Sequence, residues 1–80
     1  MKTSDITDRM VCEAYRDARA THFQRFPYDL LMERTGAPLK VCLSAMDRAY
    51  DHGLVEWGVS LRTAWLTDKG NALLGQEPTP

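Results

Sequence analysis

Residues 29–74 read DLLMERTGAPLKVCLSAMDRAYDHGLVEWGVSLRTAWLTDKGNALL, and this stretch decides the fold of the chain. The segment Tyr28 to Arg34, which overlaps its start, supplies Leu30, Leu31 and Met32 to a short helix that Gly36 ends, because glycine tolerates the left-handed residue just past a helix. Pro38 suits the start of the next helix, which is expected to run to His52 before Gly53 stops it. On a helical wheel Leu39, Cys42, Leu43, Ala45, Met46, Ala49 and Tyr50 form one apolar arc. Lys40, Ser44, Asp47, Arg48 and Asp51 form the other. Such a division puts one face on the domain and the other toward solvent or a ligand.

Beyond Gly53, Leu54–Trp57 and Arg62–Leu66 are strand-prone runs separated by Gly58-Val59-Ser60-Leu61, which predicts a β-hairpin. Trp57 and Trp65 fall on opposite strands, where aromatics pair across the ribbon or cover the core. Thr67 is placed to cap a last helix from Asp68 to about Leu74. On the other side of the stretch, Met10, Val11, Ala14, Tyr15 and Ala18 recur at helical spacing, so a first helix is expected from Asp5 to about Phe23, with Ser4 or Thr7 as its cap. Its opposite side holds Arg9, Arg16 and Arg19 with Glu13, Cys12 and Phe23. Those arginines read first as a solvated face with local pairs to Glu13, and second as a partner surface. Gln24-Arg25-Phe26, ahead of Pro27, has the character of a brief edge strand.

The expected class is therefore mainly α with a small β-hairpin (α+β), in the order helix, short strand, helix, helix, strand, strand, helix. One domain is expected over residues 1–75, followed by a polar, proline-bearing tail over 76–80 that is expected to be disordered.

With both helices and the turn placed, the chain resembles winged helix-turn-helix regulators of the MarR-like and IclR-like kind. The likeness rests on Thr35-Gly36-Ala37-Pro38 before the recognition helix, Gly53-Leu54-Val55-Glu56 after it, and Leu66-Thr67-Asp68-Lys69-Gly70 closing the wing. It covers roughly Asp29 to Leu74. The resemblance implies a DNA-binding transcriptional regulator, bacterial or phage in origin, whose recognition helix enters the major groove. Carried over residue by residue, it implies Lys40, Ser44 and Arg48 facing bases or phosphates, Arg34 beside the turn, and Arg62 of the wing on the backbone. Asp47 shares that face, either accepting from a cytosine amino group or holding Lys40 or Arg48 in place.

Charge gives this reading little help. Ten basic residues stand against eleven acidic ones, for a net charge of −1, and neither half of the chain is basic. Weak binding by one such helix points to a homodimer or a protein partner. The alternative function is a winged helix that serves as a protein-interaction module, using Trp57 and Trp65 or the Arg9, Arg16 and Arg19 face with Phe23.

Other chemistry finds no footing in the sequence. There is no nucleotide-binding glycine loop, no paired metal-ligand motif and no nucleophile-base arrangement, so neither an enzyme nor a cofactor or metal site is expected. Cys12 and Cys42 read as reduced thiols. His22 is expected at the core edge near Tyr15, and His52 at the third helix's C-terminus, where the dipole favours a cation. No run of residues has the length of a membrane span or a signal peptide, which leads to a cytoplasmic expectation.

Overall fold

The computed structural model of the chain describes residues 2–20, 25–56 and 65–75. A single 3-10 turn, Thr3–Asp5, precedes α1 (Asp8–Ala20). The first helix thus starts later than expected, because Ile6 breaks away to enter the core with no exposed surface, and its expected end near Phe23 lies outside the described residues. Thr7 then starts α1 afresh, its Oγ1 accepting the Met10 N–H at 3.1 Å, which satisfies one of the donors that a helix start leaves over.

Helix α2 (Pro27–Thr35) begins on a proline. Phe26 is extended before it and donates its N–H to the Asp29 carboxylate at 3.2 Å. Because that donor is consumed locally, Arg25 and Phe26 do not form the expected edge strand. Gln24 lies outside the described residues.

The turn from α2 into α3 (Leu39–Asp51) is braced by its own side chains. Thr35 donates its hydroxyl to the Leu31 carbonyl at 2.6 Å and accepts the Ala37 N–H at 3.1 Å. Gly36 has φ +73° and gives its N–H to the Met32 carbonyl at 2.8 Å. A side chain here would meet no neighbour, so the positive φ alone selects glycine. Ala37 is buried, and Pro38 sets the extended residue before α3.

Beyond Gly53, β1 (Val55–Glu56) pairs antiparallel with β2 (Trp65–Leu66), in the register Val55 opposite Leu66 and Glu56 opposite Trp65. The connection that would join them, with Trp57 and Arg62, lies outside the described residues. Helix α4 (Asp68–Leu73) follows, and Thr67 caps it by accepting the Gly70 N–H at 3.1 Å. The same threonine hydroxyl donates to the Gly53 carbonyl at 2.6 Å, and its N–H reaches the Leu54 carbonyl at 3.1 Å. Gly70 sits so close to Leu54 that a Cβ would stand 2.1 Å from the Leu54 oxygen. The end of α3 and the start of α4 are therefore stapled together.

The core gathers Ile6, Val11, Ala14, Tyr15, Leu31, Cys42, Ala45, Met46, Ala49, Leu54, Val55 and Leu74. Helix α1 packs against α2, α3, β2 and α4. Surrounded on so many sides, it buries a wider arc than one stripe. Cys12, expected on the polar side, is fully buried, and Met10 is only half-buried. The described residues are thus mainly helical with a small two-stranded antiparallel sheet.

Candidate nucleic-acid interface

Helix α3 buries Cys42, Ala45, Met46 and Ala49 and turns Lys40, Ser44, Asp47 and Asp51 outward. Lys40 has no ion-pair partner among the described residues. Asp47 pairs with neither Lys40 nor Arg48, so its expected role of holding either side chain is not seen. No side chain caps α3, and its first turn carries no acid. The positive end of the helix dipole and the Lys40 ammonium therefore act at the same end. Leu39 and Tyr50, placed by the wheel on the apolar arc, are exposed, at 43% and 45%. They lie at the arc's margin, beyond what the neighbouring helices cover.

Arg48 departs from the expected exposed row. Its guanidinium turns back toward the N-terminal segment, with Nε donating to Asp8 at 2.9 Å, Nη1 to the Thr3 carbonyl at 3.1 Å and Nη2 to the Ile6 carbonyl. The physical reason is local to that segment. Thr7 has taken the Met10 N–H that would otherwise serve the Ile6 carbonyl in a continued helix, and Arg48 supplies a donor. His52 joins from the helix end, its Nδ1 at 2.7 Å from the other Asp8 oxygen. Partial burial pushes the Asp8 carboxyl up, but the hydrogen bonds from His52 and Arg48 outweigh it and hold the group below its ordinary 3.8.

Arg34 is also engaged, meeting Asp17 of α1 at 2.5 Å. Asp17 takes Arg16 through its other oxygen at 3.0 Å. Burial raises the Asp17 carboxyl, and the two arginines bring it below its ordinary value. Of the proposed partner surface on α1, Arg9 donates to the Leu73 carbonyl at 3.1 Å and Arg16 is held by Asp17, while Arg19 is exposed. Trp65 is 36% exposed at the sheet. Phe23, Trp57 and Arg62 lie outside the described residues.

The structure therefore brings Lys40, Ser44 and Asp47 onto one open face, draws Arg48 back to Asp8 and leaves Arg34 exposed on α2 in an ion pair with Asp17. The Arg48, Asp8 and His52 cluster was missed in the sequence because Asp8 lies 40 positions from Arg48 and 44 from His52, with no local signal to join them. Neither thiol is presented as a nucleophile. Burial, then the charges of Asp8 and Glu13, pushes Cys12 up to about 11, and burial likewise raises Cys42. Among the described residues no three His, Cys, Asp or Glu side chains gather as a metal site, and no helix is long and apolar enough to cross a membrane. Comparison of the chain with family models, curated proteins and solved structures finds no match.

Proposed function

We propose that this chain is a small DNA-binding transcriptional regulator of the winged helix-turn-helix type, with α3 entering the major groove by its N-terminal half. The observation that carries the reading is the pairing of α2 and α3 across the Gly36 turn, which leaves Lys40 and Ser44 open on a helix whose opposite face is buried. Recognition helices contact base edges chiefly with their N-terminal residues. Here that end combines an unpaired lysine, a hydroxyl and an uncapped dipole, while Asp47 and Asp51 lie on later turns. Lysine serves guanine or phosphate acceptors, and serine serves phosphate or either kind of base edge. The strand pair after α3 suits a wing against the backbone.

A face with one cation and two carboxylates gives a single copy little affinity, so two half-sites bound by a pair of copies are part of the proposal. The competing role, an interaction module without DNA, draws on the exposed side chains of Leu39, Tyr50, Trp65 and Leu73. Titration of a random-sequence duplex pool at about 50 and about 200 mM salt, followed by fluorescence anisotropy, separates the two. The DNA reading expects binding that weakens steeply with salt. Absence of binding at the lower salt contradicts it and favours the interaction module.

A further inference from the structure

The open surface of α3 has two strips. Lys40, Ser44, Asp47 and Asp51 form one, and beside it Leu39 stands 43% exposed over the half-buried Leu43, its neighbour one turn on. Leu43 packs against the core. Whatever covers Leu39 must also accept the Lys40 ammonium and the positive end of α3, where no cap or acid intervenes. An anionic partner with a small apolar group set among hydrogen-bond acceptors meets all three demands. The major groove of duplex DNA has that composition at each thymine, whose C5 methyl lies beside acceptor atoms and below the phosphates.

Resting on the DNA-binding reading, we propose that Leu39 is a specificity-determining residue that packs on a thymine methyl in the site bound by α3, with Lys40 on an adjacent acceptor or phosphate. Arg48 is drawn away to Asp8, so readout concentrates on the first two turns, where Leu39 supplies the apolar part. The contact selects thymine over cytosine and over uracil, because only thymine carries the methyl group.

The test starts from duplexes enriched by the full chain from a random library. Each enriched thymine is then replaced by deoxyuridine, which removes the methyl and leaves the pairing intact. One such replacement is expected to weaken binding about fourfold, the equivalent of one buried methyl. The Leu39→Ala chain is expected to bind the parent duplex more weakly and to lose its response to that replacement, the coupling that marks a direct contact. Leu39 is exposed enough that this variant keeps its melting temperature, which a thermal melt verifies. Equal responses of parent and variant to every deoxyuridine, or enriched sites lacking an invariant thymine, overturn the Leu39 contact while leaving DNA binding standing. Failure to enrich any duplex overturns the DNA reading itself, and this inference with it.

Discussion

The two ends of α3 carry similar residues and do different work. At its start, Lys40 and Ser44 stand exposed, and no side chain among the described residues pairs with them. At its finish, Arg48 and His52 are spent on Asp8 and the N-terminal segment, and the backbone of His52 and Gly53 accepts Lys69 at 2.9 Å and Thr67 at 2.6 Å. One end is free to bind, and the other anchors the helix in the fold. The difference shows that a charged side chain on the outer arc of a helix is not thereby a ligand contact. Its availability depends on whether another segment leaves polar groups within reach.

The sharpest way to break the anchored end is Gly70→Ala. Any Cβ there runs into the Leu54 carbonyl, backbone that has no room to withdraw while Thr67 holds it. The expected loss is on the order of 3 kcal/mol, the upper part of the range for overpacking, and it outweighs about 1 kcal/mol gained in helix propensity. Urea unfolding reads it directly. A neutral or stabilising result removes the staple between α3 and α4.

Next in size, Arg48→Met strips the charge-assisted bonds to Asp8 and the Thr3 and Ile6 carbonyls while keeping most of the side chain's apolar length. About 1.5–3 kcal/mol should be lost, with the partly exposed position tempering the figure. Amide exchange should quicken over the N-terminal segment more than over the first turn of α3. Uniform acceleration along α3 contradicts the division between its ends.

This cluster and the Asp17 pairs on α1 share a pH signature of smaller size. Asp8 and Asp17 both titrate below the ordinary carboxylate value when folded. Their contribution to stability is therefore complete above the unfolded value, about 4, and is lost as the pH falls through the lowered folded values. The urea midpoint should drop as the pH falls below about 4, and Asp8→Asn should show a shallower drop from a lower start. An identical acid profile for Asp8→Asn breaks the assignment of this charge to the anchor.

What was legible in the sequence was local. Gly36, Pro38, Gly53 and Thr67 act within a few residues of themselves, and each ends or starts its helix as their chemistry requires. The three motifs that carry the family resemblance also prove to have structural tasks. Thr35 and Gly36 shape the turn, while Gly53-Leu54 and Thr67 with Gly70 bond to each other. Each of these residues thus has a task within the fold that needs no ligand. Arg48 and Cys12 were misplaced because a wheel treats a helix in isolation, whereas one meets a segment forty residues away and the other lies on a helix packed on several sides. On the candidate face, Lys40 and Ser44 are exposed where the wheel put them, since no distant group among the described residues competes for them.

The smallest expected change in stability, within about 0.5 kcal/mol, belongs to Lys40→Ala at the open end. It also allows the most direct test of the division, by measuring duplex affinity against salt concentration for the parent, Lys40→Ala and Arg48→Met, well below every melting temperature. Losing one phosphate or base cation lowers the slope of log affinity on log salt by about 1. The account predicts that Lys40→Ala binds more weakly, with the slope reduced by that step for each bound copy if the ammonium meets phosphate, and that Arg48→Met keeps the parent slope. A parent slope and affinity for Lys40→Ala, with the loss appearing in Arg48→Met instead, would contradict it.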